Sequence, residues 1–218
     1  MQTFVVAVTG GTGSGKGYFA RHLAERFPGQ ATVISMDMYY RDQSAVPFPE
    51  RLETNVDNPK AFDFDKLAKD VAALRNNQPA EEPVYDYEQR IRLPQTTRLE
   101  PRPLLIVEGL LALHQKDLNE TYDLKVYLET DADLRLARRL LRDIREKRHE
   151  TLDYSINQYL TSARPSHKIF VEPQKKTADL VIDWNEFNQS AFDQVVDLIK
   201  KCSIRGLFVE KIGGVITE

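Results

Sequence analysis

The chain has 218 residues, of which 41% are hydrophobic and 29% are charged, which is the balance of a soluble globular protein. The net charge is −3, so no broad basic field is expected, and this argues against nucleic acid as the main partner. Cys202 is the single cysteine of the sequence, which excludes an internal disulfide and a multi-cysteine metal site and fits a reducing compartment. No apolar run reaches the length of a membrane helix. We therefore expect one cytoplasmic domain over residues 1–218 that binds neither nucleic acid nor membrane.

The first half of the chain predicts strands and helices in alternation. Met1–Thr9 lacks a basic n-region and a cleavage site, so it predicts a strand and not a signal peptide. In chain order we expect a strand at Phe4–Val8, a helix ending near Phe27 and a strand at Ala31–Ile34. A helix at Asp63–Leu74 follows, with Asp63 as its N-cap. The segments Val84–Tyr87 and Thr97–Leu99 are expected to form a hairpin. Pro47 and Pro49 predict that residues 35–58 form no regular helix.

The second half continues the alternation. We expect a buried strand at Leu104–Val107, a strand at Leu124–Leu128 and a last buried strand at Leu180–Ile182. Helices are expected at Asp133–Lys147, Ser155–Ala163 and Gln189–Lys200, the second of them ending at Arg164-Pro165. The tail Ser203–Glu218 fits a hairpin or an interface arm equally well. Alternating strands and helices predict an α/β fold with a parallel sheet and helices on both faces.

A glycine-rich segment after the first strand has the pattern of a phosphate-binding loop. Gly10-Gly11-Thr12-Gly13-Ser14-Gly15-Lys16 fits G-x-x-x-x-G-K and precedes a helix. The glycines allow backbone N–H groups to surround phosphate oxygens, and Lys16 would reach the β- and γ-phosphates. The alternative, a simple glycine-rich turn, explains neither the lysine nor the spacing. Gly17 stands where the motif has the Ser or Thr that ligates Mg²⁺, so the metal would be held by water, carboxylates and the nucleotide.

Two carboxylates are expected near this loop. Asp37 follows the second predicted strand, and Glu108 ends the strand Leu104–Val107, so both belong at the carboxyl edge of the sheet, where ligands bind. Asp37 could accept a proton from a substrate hydroxyl, or be an ordinary loop residue. Glu108 could reach Mg²⁺, or cap the chain before Gly109.

Six further segments occur in the order found in a known family. They are Met36–Asp42, Asn55–Asp63, Pro83–Tyr87, Ile106–Leu113, Glu129–Arg139 and, after Arg164-Pro165, Phe170–Asp179. Together with the glycine-rich loop, they resemble the uridine–cytidine kinases, within the wider group that includes phosphoribulokinase and pantothenate kinase. The resemblance runs to about Asp183. It implies a P-loop fold with a small substrate-binding hairpin at 83–100 and a helical lid at 139–165.

The resemblance also implies roles for individual residues. It makes Asp37 the catalytic base and Glu108 the carboxylate associated with the metal. Nucleoside contacts fall on Tyr40, Asp57 and Tyr85, with Asp57 on the ribose hydroxyls and Gln158 near the ribose. Arg139 and Arg142 would lie near the phosphates and the substrate. Taken alone, the arginine-rich helix that carries them could also be a solvated face.

The sequence departs from the family pattern at two more places. Arg90 replaces a histidine that reads the pyrimidine edge, and arginine can only donate hydrogen bonds. The lid has Glu146–Glu150 where the family has Arg-Gly-Arg-Asp.

The expected function is transfer of a phosphoryl group from ATP or GTP, with Mg²⁺, to the 5′-hydroxyl of uridine or cytidine, by a homo-oligomer. Two alternatives stay open. A kinase with another small-molecule acceptor, for example an anionic one, is suggested by Arg90. A nucleotide-binding regulatory protein with little turnover is suggested by Gly17.

Overall fold

The computed structural model describes residues 3–146, 148 and 151–204. Its strands are β1 Phe4–Gly10, β2 Ala31–Ser35, β3 Ala80–Asp86, β4 Ile91–Leu99, β5 Leu104–Glu108, β6 Leu124–Glu129 and β7 Leu180–Asp183. Five of them form one parallel sheet in the order β2-β5-β1-β6-β7, and β3 pairs with β4 in a separate antiparallel sheet. The predicted α/β architecture is confirmed.

The helices are α1 Lys16–Glu25, α2 Phe48–Leu52, α3 Phe64–Arg75, α4 Lys116–Asn119, α5 Ala132–Arg145, α6 Leu152–Gln158, α7 Arg164–Ser166 and α8 Gln189–Ile204. Short 3₁₀ turns lie at Met36–Tyr39, Pro59–Ala61 and Glu172–Thr177, and π turns at Tyr159–Ala163 and His167–Val171. Asp63 caps α3 as expected, because its side chain accepts a hydrogen bond of 3.2 Å from the Lys66 N–H. Among the described residues, no helix is long and apolar enough to cross a membrane.

The sheet separates two hydrophobic cores. Successive side chains of β1 point to opposite faces, so Val5 and Ala7 join one core while Val6 and Val8 join the other. The first core is closed by α3 and the second by α1 and α8. Because β1 is buried on both faces, its sequence is a continuous apolar run, as predicted. The sheet therefore holds the end of β1, where the glycine-rich loop begins, at the centre of the molecule.

Two predictions about prolines are wrong. Residues 48–52 form α2 although Pro49 lies in it, because a proline in the first turn removes an N–H that would have no helical partner. The helical segment that begins at Leu152 also does not end at Pro165 but continues to Thr177. Pro165 lies in α7, between two π turns, where the regular hydrogen-bond ladder is already interrupted.

The last strand is less buried than expected. β7 pairs with β6 and is the final strand in the sheet order, so Val181 is 51% exposed. The hairpin prediction is confirmed with longer strands, in which Tyr85 pairs with Arg92. The predicted lid and tail lie partly outside the described residues, since 147, 149, 150 and 205–218 are not described.

Candidate active site

The glycine-rich loop joins β1 to the first turn of α1. Gly13 and Gly15 have φ angles of 76° and 91°, in the left-handed region that favours glycine. A Cβ at Gly13 would lie 2.1 Å from the Arg135 carbonyl oxygen, so α5 packs directly on the loop and only glycine fits there. The Ser14 N–H donates to the Gly11 oxygen at 3.0 Å, which closes the turn. The loop leads directly into the N-terminus of α1. Backbone N–H groups of the loop and of the first helical turn can therefore surround an anion.

Lys16 lies in this loop beside two carboxylates. Its Nζ donates a hydrogen bond of 3.0 Å to the Gly11 oxygen. Burial lowers the pKa of Lys16, while the nearby carboxylates of Glu108 and Asp37 act in the opposite direction. Burial, and then the charge of Asp37, raise the pKa of Glu108. The three groups therefore form one compact charged cluster at the end of the loop.

The strand register explains the position of the two carboxylates. Ser35 and Glu108 are partners on the adjacent parallel strands β2 and β5, and the Ser35 hydroxyl donates to Glu108 Oε1 at 2.7 Å. Asp37 follows two residues later, in the 3₁₀ turn Met36–Tyr39. Both carboxylates thus emerge at the carboxyl edge of the sheet, as the sequence predicts.

The cluster fits a magnesium ion that keeps several waters. Two carboxylates supply hard oxygen ligands, although fewer than the six that Mg²⁺ takes, so water and phosphate oxygens would complete the set. A Cβ at Gly17 would lie 3.8 Å from Glu108 Oε1. A hydroxyl at position 17 would therefore lie in the same cluster as Glu108. Because Gly17 has no hydroxyl, Glu108 is the protein group left beside this position to ligate the metal.

α5 turns Arg139 and Arg142 toward the cleft at the loop. Arg139 is buried and donates from Nη1 to Thr12 Oγ1 at 3.1 Å and from Nη2 to Gln158 Oε1. Its ion pairs reach Asp143 at 3.4 Å and Asp57 at 3.9 Å. Arg142 pairs with Asp143 at 2.8 Å. The reading of this helix as a solvated charged face is therefore wrong.

Asp57 and Gln158 offer a buried acceptor and a buried donor on either side of Arg139. Within the described part of the chain, Asp57 Oδ2 and Gln158 Nε2 make no hydrogen bond. Burial raises the pKa of Asp57, and the Arg139 guanidinium opposes that shift. Buried polar atoms without a partner are costly and uncommon in proteins, so this pair is suited to a ligand that both donates and accepts hydrogen bonds.

An aromatic wall lines the same cleft as the arginines. The rings of Tyr40 and Tyr85 are 5.0 Å apart, and Tyr40 also stacks on Phe62 at 4.4 Å. Tyr87 packs edge-on against Tyr85 at 5.5 Å, and the Arg148 guanidinium lies 4.1 Å from the Tyr87 ring centroid. Burial raises the pKa of Tyr85 to about 12, so its phenol stays neutral. These rings could hold a flat ligand.

Arg90 anchors the turn of the hairpin. Its φ of 54° is unusual for a residue with a side chain. Nη1 donates to the Arg51 oxygen at 3.1 Å and the Leu52 oxygen at 3.3 Å, and Nη2 donates to the Tyr154 hydroxyl at 3.1 Å. The side chain is only 5% exposed. Arg90 therefore ties the hairpin to α2 and α6, and its two Nη groups are engaged by the protein.

One cleft of about 670 Å³ brings most of the predicted residues together. Its lining includes Lys16, Asp37, Tyr40, Tyr85, Arg90, Arg139, Arg142 and Gln158, together with Thr12 of the loop. Asp57 joins this set through its contact with Arg139, and Glu108 through Lys16. Of the other residues of the motif, Gly10 ends β1 and Gly17 lies in the first turn of α1, while Gly11, Gly13, Ser14 and Gly15 belong to the turn between them.

Tyr87 and Arg148 also line the cleft. Sequence reasoning gave Tyr87 no role, and it included Arg148 only among the arginines of the 139–148 region that were expected to close over the site. Arg148 Nη1 lies 4.0 Å from Asp37 Oδ2. Tyr87 could have been found from its spacing, since it stands two residues after Tyr85 and directly follows the end of β3. No periodicity marks Arg148, because it lies beyond the end of α5.

Comparison with known proteins identifies the family. Residues 5–190 match the family described as Phosphoribulokinase / Uridine kinase. A uridine kinase of Oceanobacillus iheyensis is 47% identical over 204 residues, which cover 93% of this chain and 97% of that protein. A uridine kinase of Bacillus subtilis is 44% identical over 197 residues, covering 90% and 93%. The structure of phosphoribulokinase from Rhodobacter spheroides has the same fold, with a TM-score of 0.59, 15% identity and coverage of 85% of this chain and 73% of that one. The glycine-rich loop, the topology of the sheet and the sequence match over residues 5–190 all indicate the same family. The chain belongs to the phosphoribulokinase/uridine kinase family of P-loop kinases.

Proposed function

We propose that this protein transfers the γ-phosphoryl group of ATP to the 5′-hydroxyl of uridine or cytidine. The observation that carries the proposal is the cleft lined by Lys16 of the phosphate loop and by Gln158, with Asp57 reached through Arg139, because Asp57 Oδ2 and Gln158 Nε2 are buried without a hydrogen bond. A ribose diol both donates and accepts hydrogen bonds, which matches that pair. The aromatic wall next to it suits a base. Relatives at 44–47% identity that are named uridine kinases support the same acceptor.

Within this proposal, each group around the reacting atoms has a task. The phosphate loop and Lys16 bind the triphosphate, and Asp37 orients the acceptor hydroxyl and takes its proton. The oxygen–phosphorus bond to the acceptor forms as the bond between the γ-phosphorus and the β–γ bridging oxygen breaks. Arg139 and Arg142 offset the charge of the transferring oxygens. Glu108, together with water, would hold Mg²⁺, and the ion would neutralise part of the phosphate charge.

Neither alternative function has an observation of its own in the structure. An anionic acceptor would need a free guanidinium fork at Arg90, but both of its Nη groups already donate to the protein. A regulatory protein without turnover is suggested by Gly17, yet Asp37, Glu108 and Lys16 are all present beside that position.

An acceptor screen tests the proposal. ADP release should be followed with ATP and Mg²⁺ over uridine, cytidine, purine nucleosides and phosphorylated sugars. We expect turnover with uridine or cytidine and none with 5′-deoxyuridine, which fills the same pocket but has no 5′-hydroxyl. Turnover with a phosphorylated sugar alone would indicate another acceptor. ATP binding without turnover on any acceptor would indicate a regulatory protein.

Three further expectations concern the assembly, the cellular location and the phosphoryl donor. We keep the expectation of a homo-oligomer in the cytoplasm, and of ATP or GTP as the phosphoryl donor. Parallel assays with the two nucleotides decide the donor. Cell fractionation tests the location, and light scattering tests the assembly.

A further inference from the structure

Arg135, in the first half of α5, is packed directly against the phosphate loop. Its Nη1 would lie 2.5 Å from a Cβ at Gly11, and its carbonyl oxygen occupies the space that a Cβ at Gly13 would need. The absence of side chains at these two positions therefore lets the guanidinium lie against the loop. Arg135 is on the same helix as Arg139 and Arg142, but unlike them it does not belong to the lining of the cleft.

The hydrogen-bond partners of Arg135 are neutral. The residue is 7% exposed, its Nε donates to the Thr130 oxygen at 2.9 Å, and its Nη2 lies 3.5 Å from His167 Nε2. Arginine can only donate, so His167 Nε2 is the acceptor and the imidazole carries no charge. In agreement with this, burial, and then the charge of Arg135, lower the pKa of His167 to about 4. Neither partner therefore compensates the positive charge.

Carboxylates lie near Arg135 without pairing with it. Glu129, Asp131 and Glu172 line a surface cleft that Arg135 also reaches. Glu129 is paired with Lys175 instead. Within residues 3–146, 148 and 151–204, none of the three carboxylates forms an ion pair with Arg135. The guanidinium therefore has no counter-charge in this part of the chain.

The hydrogen bonding of Arg135 is also incomplete. Arg90 is similarly buried, at 5% exposed, and donates from both of its Nη groups. In contrast, none of the residues that the structure describes accepts a hydrogen bond from Arg135 Nη1, the atom beside Gly11. A charge that is buried without a counter-charge is costly, and so is a donor without an acceptor. An anion in the adjacent loop would remove the first of these costs.

The charge of Arg135 acts inside the loop. Burial is the main cause of the lowered pKa of Lys16, and the charges of Arg142 and Arg135 lower it further. A positive charge that disfavours the lysine cation at this point favours phosphate oxygens there, because the same field acts on both with opposite sign. We propose that Arg135 is an additional cation of the phosphate site, placed behind the loop, and that the triphosphate of the bound nucleotide is its counter-charge. This inference rests on nucleotide binding by the loop and not on which acceptor the enzyme uses.

Direct binding measurements on Arg135→Met test the proposal. Methionine keeps an unbranched chain in the same space but has no charge. Calorimetry should show that the dissociation constant of ATP rises at least about 10-fold, because an attraction between opposite charges at short range is lost. The loss should be smaller for ADP, which carries less negative charge. The melting temperature without nucleotide should be unchanged or higher, because the substitution removes an uncompensated buried charge.

Arg75→Met is the matched control. Arg75 is a partly buried arginine that is paired with Asp123 at 3.2 Å and does not line the cleft. Its removal leaves a carboxylate unpaired, so this variant should melt at a lower temperature and bind ATP like the wild type. The two variants should therefore show opposite patterns of stability and affinity.

Arg135→Lys separates the charge from the packing. Lysine keeps the positive charge on a flexible chain, so it should bind ATP at least about 3-fold more tightly than Arg135→Met does. Equal affinities of the two variants for ATP would mean that the charge does not act on the nucleotide, and would overturn the proposal.

Two further results would overturn it. One is an Arg135→Met protein that binds ATP as the wild type does. The other is an equal loss of affinity for ATP and ADP together with a lower melting temperature, which would show that Arg135 only supports the packing of the loop. Because binding is measured without turnover, an error in the assigned acceptor would change none of these results.

Discussion

Ser35 holds Glu108 in place by a hydrogen bond of 2.7 Å between neighbouring parallel strands. The bond fixes a half-buried carboxylate 3.8 Å from the point where a side chain at position 17 would begin. Glu108 can therefore serve the metal in place of the hydroxyl that Gly17 lacks, which leads to the first prediction.

Gly17→Thr should add a direct metal ligand. Gly17 lies in α1, and a Cβ there would find ordinary contacts with Arg21 at 3.4 Å and Glu108 at 3.8 Å. We expect the Mg²⁺ concentration for half-maximal activity to fall. Gly17→Val, which has the same shape without a hydroxyl, should not lower it. An unchanged titration for Gly17→Thr would mean that Glu108 and water already meet the metal's needs.

Lys16→Ala should inactivate the enzyme without unfolding it. Burial lowers the pKa of Lys16, so removing this charge relieves a desolvation cost and should leave the melting temperature equal or higher. Phosphoryl transfer should fall by about 10²–10³-fold or more, since the lysine offsets charge on the phosphates. Lys116→Ala, at an exposed lysine of α4, is the control in the same assays. A folded Lys16→Ala protein with most of its activity would refute the assignment of the loop.

Asp37→Asn should lower turnover and spare ATP binding. The amide keeps the shape of the side chain but cannot take the proton, and a general base contributes about 10²–10⁴-fold. Asp42→Asn changes an exposed carboxylate of the same segment and should have little effect on turnover. Steady-state kinetics and ATP titration decide. Near-normal turnover would exclude Asp37 as the base, and an equal loss of ATP affinity would indicate a metal or structural role.

Arg90→Ala should weaken nucleoside binding more than ATP binding. The substitution removes three hydrogen bonds that hold the hairpin and its Tyr85 against α2 and α6. We expect a higher KM for the nucleoside, a nearly constant KM for ATP and a lower melting temperature. Arg92→Ala, on the same hairpin but paired with Asp63 at 3.0 Å, is the control. An equal rise in both KM values would mean that the substitution disturbs the whole active site and not the nucleoside pocket in particular.

Glu82→Gln should flatten the pH dependence of stability. Burial raises the pKa of Glu82 to about 7, from 4.5, while its Oε1 accepts a hydrogen bond from the Ser35 N–H at 3.3 Å. A raised carboxyl pKa means that ionisation disfavours the folded state, so the wild type loses stability as the pH rises from about 4.5 to 7. The glutamine still accepts the bond and never ionises. We expect the variant to be more stable than the wild type at pH 8 by about 1–2 kcal/mol, and nearly equal at pH 4.5. Urea unfolding at both pH values measures this, and a constant difference would exclude Glu82 as the titrating group.

The sequence by itself determined the local parts of this protein. The buried runs, the glycine-rich loop between β1 and α1, the cap at Asp63 and the hairpin follow from residue spacing, because each depends on neighbours a few positions away. Asp37 and Glu108 could be placed at one edge of the sheet because parallel strands end together.

Only the tertiary structure decided which face of α5 turns inward. Its charged and apolar stripes are equally visible in the sequence, but burial of Arg139 is favourable only because Asp57 and Gln158 arrive from other parts of the chain and join Asp143 of the same helix. The same holds for Arg90, whose partners come from α2 and α6. A buried charge is tolerated only where such partners converge, and convergence between residues far apart in the chain leaves no periodic signal in the sequence.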